Sequence, residues 1–284
     1  MPQPIADMTP AHAAQALLWL VEMGADEIIG ESPVNRLATA GEAPRAQPAA
    51  RLEVSENRPI RAAAPISPAQ PKPSASDSVQ DARAIAAACS SLAELAAALA
   101  QFDACPLRKT ATNLCFSDGN PDAHVLVIGE APGNEEDLQG KPFVGRSGQL
   151  LDRMLAAIEL DRRADDPARA VLITNTIFWR PPGNRKPTEA ETAMCMPFVS
   201  RLVELMRPRL ILCVGATPTQ RMMNLTDGIL KLRGRWFDVA LGNGTIPLLA
   251  TLHPAYLLRQ PVQKKLAWRD LLSLRERLDN LSSR

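Results

Sequence analysis

No apolar run in this 284-residue chain comes near the ~20 residues needed to cross a bilayer, so a helical membrane-spanning protein is excluded. The start of the chain lacks the cationic stretch, apolar segment and small-residue cleavage site of a secretory leader. Cysteine is sparse: five residues stand at positions 89, 105, 115, 195 and 213, and none forms a C-x-x-C pair. That spacing offers no even disulfide framework and points to a reducing compartment. A soluble, cytoplasmic protein is expected, with no membrane partner. Histidine is scarcer still, at three, so a His at a strand end stands out. Neither G-x-G-x-x-G nor a P-loop is present, which removes the usual cradle for a pyrophosphate and argues against a nucleotide-binding α/β enzyme.

What the chain does have is enough apolar material for a core, at 46%, and a hidden charge asymmetry. The net charge is +1, yet residues 201–284 hold 14 basic against 6 acidic side chains. A basic C-terminal third suits a polyanion, or it is simply a solvated helix surface.

Composition divides the chain into three parts. Residues 9–30 read as a short amphipathic helix within an N-terminal segment 1–30, with Thr9 as N-cap, Pro10 at the first helical position and Leu17, Leu18, Leu20, Val21 and Met23 as its apolar stripe. Another protein could dock there. Residues 31–78 contain eight Pro and read as a flexible linker. Residues 79–284 form the main domain, expected to be monomeric. It opens on a helical pattern at 79–103, then carries strand candidates at Val125–Glu130, Val171–Thr176, Leu210–Gly215 and Ile246–His253. Helical stretches around Gln149–Ile158, Thr188–Met206, Thr217–Leu225 and Val262–Leu281 alternate with them. Alternation of this kind predicts a parallel sheet covered on both sides, whose ligands sit beyond the carboxyl ends of the strands.

Glu130, Asn175, Gly215 and His253 all fall at those ends. After the first strand comes Gly129-Glu-Ala-Pro-Gly133, where two glycines let the backbone approach a ligand, or serve an ordinary strand-to-helix turn. Phe143 can offer an aromatic face to a flat ring. Asn175 carries one acceptor and two donors, the complement of a ring with adjacent C=O and N–H groups, or else caps a turn. His253, held by Pro254, can donate to a developing oxyanion. Arg180-Pro-Pro-Gly-Asn-Arg185 is a stiff turn able to hold a phosphate through Arg180, Gly183, Asn184 and Arg185. Glu136 and Asp137 read as a first-turn acid pair favouring the positive end of a helix.

Taken in order, GEAPG, GKPFVGRSGQLLDRML (140–155), Asn175-x(4)-RPPGNR, LRGRW (232–236) and HPAYLLR (253–259) resemble the family 4 uracil-DNA glycosylases over residues from about Cys105 to Leu272. The resemblance implies a three-layer α/β/α fold around a four-stranded parallel sheet, and hydrolysis of the N-glycosidic bond of uracil in DNA. By the same resemblance, Gly129, Glu130 and Ala131 cradle the flipped base, Phe143 stacks on it, Asn175 reads the edge that separates uracil from cytosine, and His253 donates to the uracil O2. His253, Glu130, Glu136 and Asp137 are then the candidate catalytic residues. Leu257, Leu258 and Arg259 become the element that fills the vacated stack. Many related glycosylases carry a water-orienting Asp where Ala131 stands, which leaves Glu136 and Asp137 as candidates for that task. A covalently trapping relative would carry a basic, His-containing insertion after the first motif, and GRSGQLL has none.

The family pattern also includes a [4Fe–4S] cluster on four Cys. Here Cys105 and Cys195 fall on two of the ligand positions, while Phe102 and Trp179 occupy the others. No cofactor is therefore expected, and the two aromatics should pack where the metal would have been.

Overall fold

The apolar runs become strands because nearly every residue in them is buried and their side chains alternate between two cores. The computed structural model describes residues 75–241 and 244–282, all within one compact unit, Pro68–Arg284. The amphipathic segment at 9–30 and all but the last four residues of the expected linker lie outside the described residues.

In chain order the elements are α1 (Ala75–Ala88), α2 (Leu92–Gln101), β1 (Ser117–Gly119), β2 (Val125–Gly129), α3 (Asn134–Gln139), α4 (Arg146–Ala156), β3 (Val171–Asn175) and α5 (Glu189–Met206). They continue as β4 (Leu210–Val214), α6 (Ala216–Met223), α7 (Ile229–Leu232), β5 (Trp236–Leu241), β6 (Gly244–Thr251), α8 (Pro254–Arg259) and α9 (Lys264–Ser282). The helical pattern at 79–103 is two helices, not one. It breaks at Ser90–Ser91, where the Ser91 hydroxyl accepts from Glu94 N (3.2 Å) as the N-cap of α2. The first of the two starts at Ala75, inside the stretch read as linker.

The strands form one sheet in the order β1-β3-β2-β4-β6-β5. The four expected strands are its parallel centre, with β2 paired to both β3 and β4, and β4 to β6. The count of four is corrected to six: β1 and β5 add antiparallel edges. Both escaped notice because a strand paired on one side only need not be apolar throughout. β1 in particular is the polar tripeptide Ser-Asp-Gly.

Alternation along the central strands makes two cores. Leu126, Ile128, Leu172, Ile211, Cys213 and Leu248 face α1, α2 and α5, whereas Val125, Val127, Val171, Ile173, Leu212 and Leu249 face α4 and α9. Fully burying one such side chain stabilises the fold by about 1.5–3 kcal/mol, so the register of the centre is strongly specified. The layering is α/β/α. Because β3 and β4 lie on opposite sides of β2, the chain reverses direction across the sheet at β2 and leaves a crevice beyond its carboxyl end.

Candidate active site

Gly129 closes β2 and pairs in register with Asn175, the last residue of β3. A Cβ built on Gly129 would stand 2.4 Å from Asn175 Oδ1 and 2.4 Å from Phe143 Cε2. Only glycine lets those two side chains converge there. Asn175 is 1% exposed, and its Oδ1 is one of two buried side-chain atoms without a hydrogen-bond partner among the described residues. An orphaned acceptor costs roughly 1–3 kcal/mol. Asn175 lines a cavity of about 520 Å³, together with Glu130, Phe143, Ser147 and His253.

Phe143 enters this cavity from the loop between α3 and α4, with a left-handed backbone (φ 54°). Its ring centroid lies 5.7 Å from that of His253, with the planes inclined by 32°. His253 follows β6 and is the N-cap of α8, where its Nδ1 accepts from Ala255 N (3.1 Å). That bond places the imidazole proton on Nε2. Burial, reinforced by the charge of Arg259, lowers the His253 pKa to about 4. At neutral pH the ring is therefore an uncharged donor. Gly215, at φ +108°, gives it room: a Cβ there would sit 3.3 Å from His253 Cβ.

The turn after β2 is held from both ends. Glu130 O accepts from Thr176 Oγ1 (2.7 Å) and Ile177 N (3.0 Å), tying the turn to β3. Glu136 accepts from Gly133 N (3.1 Å), Val144 N (3.0 Å) and Gly145 N (2.9 Å), tying it to the Phe143 loop. Both Glu136 oxygens are thus engaged, although the residue lines the cavity. Asp137 is not among the residues lining the cavity: its Oδ1 accepts from Thr112 N (2.8 Å) and Asn113 N (3.1 Å). First-turn acids were legible in the sequence; which way each one pointed was not.

The Arg180–Arg185 turn forms the opposite rim, contributing Pro181, Asn184 and Arg185 to the cavity wall, with Lys186 and Pro187 after them. Arg180 bonds Asn184 Oδ1 (2.8 Å) and Asn134 Oδ1 (2.6 Å), which leaves Gly183 at the open tip, where an added Cβ would meet no heavy atom within 4 Å. Arg185 is committed to a bidentate pair with Glu191 (2.6 and 2.9 Å), so its charge is already compensated. From α8, Ala255, Tyr256 and Arg259 reach the cavity. Leu257 does not: it is 1% exposed and packs with Leu150, Leu252 and Ala267. Leu258 packs half-buried against that cluster. Sequence reasoning missed Tyr256, Ser147 and Lys186 as lining residues. Tyr256 and Ser147 carried a signal, since they sit inside HPAYLLR and GKPFVGRSGQLLDRML; Lys186 did not.

Residues 116–272 match the family model described as the uracil DNA glycosylase superfamily. The chain belongs to that superfamily. It is 41% identical over 161 residues to the type-4 uracil-DNA glycosylase of Archaeoglobus fulgidus, covering 55% of this chain and 78% of that relative. Over 180 residues it is 37% identical to the protein of the same name from Saccharolobus solfataricus, covering 62% and 81%. The Thermotoga maritima protein of that name is 41% identical over 160 residues, covering 55% and 77%.

The iron–sulfur cluster associated with type-4 glycosylases needs four thiolates, and the residues here do not fit it. Cys105 and Cys195 are both buried and close enough to share a hydrogen bond, which lowers the first thiol's pKa and raises the second's. Phe102 and Trp179, which the resemblance sets against the other two ligands, lie in the same apolar core. Phe102 packs on Phe198 (centroids 5.3 Å apart) and Trp179 stands edge-on to Phe178 (6.5 Å). The remaining thiols are engaged elsewhere. Cys89 Sγ donates to Ile85 O (3.3 Å) and Cys115 Sγ to Glu136 O (3.1 Å), while Cys213 is buried in β4. Among the described residues no group of three or more His, Cys, Asp or Glu is arranged to hold a metal ion.

Proposed function

We propose that this protein removes uracil from DNA by hydrolysing its N-glycosidic bond, as the names of its type-4 relatives state for them. The observation that carries the reading is the buried, unpartnered Oδ1 of Asn175 beside the Phe143 ring. Uracil offers an N3–H to that oxygen and a C4 carbonyl to the same amide's N–H₂. Cytosine presents an acceptor and a donor in those places, so it leaves both unpaired.

A base inside a duplex cannot reach a cavity of this kind, so the nucleotide swings out, at a cost of a few kcal/mol that is smaller for a mispaired base. Phe143 then covers one face of the ring. As the C1′–N1 bond stretches, the sugar becomes cation-like and uracil leaves as an anion. His253, neutral with its proton on Nε2, donates to O2, and the backbone around Gly129, Glu130 and Ala131 lies against the departing base. One such donor is worth about 3 kcal/mol in the transition state. With Asp137 not among the lining residues and Glu136 occupied by three amides, Glu130 is the remaining acidic side chain lining the cavity, and it is the group we assign to orient water. Asn184, Gly183 and Arg180, with Leu258 and Arg259 opposite, would grip the strand on either side.

The protein works without an iron–sulfur cluster in this reading, supported by the aromatic filling around Cys105 and Cys195. Five free cysteines fit a reducing, cytoplasmic compartment, and no helix among the described residues is long and apolar enough to cross a membrane. That the protein acts as a monomer is likewise part of the proposal. Docking of a partner by residues 9–30 remains a proposal from their amphipathic pattern.

Incubation with single-stranded and duplex oligonucleotides carrying uracil tests the activity. Release of free uracil, reduced about 100-fold or more by His253→Ala, is the expected result. A stable protein–DNA adduct without free uracil would favour a trapping protein and overturn the assignment.

A further inference from the structure

Arg162 belongs to none of the motifs and lies between α4 and β3, yet it is the most heavily engaged side chain near the site. Its side chain is 6% exposed. Nε donates to Asp152 Oδ1 (2.8 Å), and Nη1 reaches Asp118 Oδ2 (3.2 Å). The rest of the fork goes to two consecutive carbonyls: Nη1 to Pro142 O (3.0 Å) and Nη2 to Phe143 O (2.9 Å).

Those carbonyls flank the residue whose backbone is unusual. A non-glycine residue in the left-handed region costs of order 1–2 kcal/mol and persists only where its surroundings over-determine it. Phe143 (φ 54°) is such a residue. A second restraint comes from α4, where a Cβ on Gly148 would lie 1.9 Å from Phe143 O, so only glycine lets the carbonyl sit there. The two carboxylates compensate the buried cation and aim it. Its planar fork can then serve two carbonyls at once, which an ammonium cannot reproduce.

We infer that Arg162 is a positioning residue for uracil recognition: it clamps the Pro142–Phe143 backbone so that the Phe143 ring stays over the cavity. The inference rests on the reading of Phe143 as the face that covers the base. None of the Arg162 hydrogen bonds goes to Asn175 or His253, so its loss acts on base binding more than on the bond-breaking step.

The test is a double-mutant cycle of Arg162→Lys with Phe143→Leu, reading KM and kcat for uracil release and inhibition by free uracil. In the native background Arg162→Lys should raise KM and weaken uracil inhibition about 10-fold, with kcat changed less than about 3-fold. In the Phe143→Leu background the same change should have an effect below about 2-fold. Equal effects in both backgrounds, or a native KM in Arg162→Lys, would overturn the inference. Asp152→Asn keeps the guanidinium and removes one of its anchors. It should show the same dependence on Phe143 in milder form, so a poorly folding Arg162→Lys does not leave the question open. If Phe143→Leu alone left KM and uracil inhibition unchanged, the base-covering role would fail instead, and the two failures are distinguishable.

Discussion

His253 shows how far one side chain's environment sets its chemistry. Free histidine titrates near 6.5, whereas burial and then Arg259 bring this one to about 4. A group held neutral by the fold refuses a proton that the unfolded chain accepts. Stability therefore falls as pH drops from 6.5 towards 4, and the loss levels off below that. Uracil release should show no break near 6.5 and decline only on approaching pH 4. A pH–rate profile with an inflection at 6–7 that disappears in His253→Gln would contradict this. Gly129 is decided just as locally. Any Cβ there meets both Asn175 and Phe143, which no description of it as a flexible turn residue would have revealed.

Helices α8 and α5 carry the next set of consequences. α8 places one face towards the cavity and the other in the core, so neighbouring leucines have different work. Leu257→Ala should lower the unfolding free energy by about 2–5 kcal/mol, as expected for a buried leucine, measured by urea denaturation. A surface-like effect well below 1 kcal/mol would mean that Leu257 is free to leave the core. At the start of α5, Glu191 accepts from Thr188 N (2.8 Å) while Thr188 Oγ1 accepts from Glu191 N (3.2 Å), a reciprocal cap. The Arg185 hydrogen bond, with the cap, brings the Glu191 pKa down to about 2. A carboxyl depressed in the fold stabilises above its unfolded pKa, and that contribution drains away as pH falls from about 4.5 to about 2. Urea midpoints should accordingly drop less over that window in Glu191→Gln than in the native protein. Parallel curves would show that the pair carries no pH-linked stability.

For the whole molecule the chief consequence concerns iron. The core around Cys105 and Cys195 is closed by Phe102, Trp179, Phe178 and Phe198, and aromatic side chains of this size dominate the energetics of the cores they fill. Protein purified without oxygen should lack the broad visible absorption of an iron–sulfur cluster, and Cys105→Ala with Cys195→Ala should keep uracil release within about threefold of native. Stoichiometric iron, lost along with activity in the double variant, would overturn this.

The four central strands could be read from the sequence because burial on both faces demands unbroken apolar runs, and the same logic located Gly129, Asn175 and His253 at their ends. Phe102 and Trp179, where the family pattern has Cys, were equally visible. Orientation was another matter. Glu136 and Asp137 are neighbours in a polar turn, and nothing local says that one binds the Phe143 loop and the other Thr112 and Asn113. Leu257 and Leu258 look alike until α8 packs, and β1 exists only because β3 offers it an edge. Arg162 carries no motif at all, since its role comes from carbonyls 19 and 20 residues away. Periodicity reports which residues are buried; which partner each buried group meets depends on contacts between distant segments, and these form only when the chain folds.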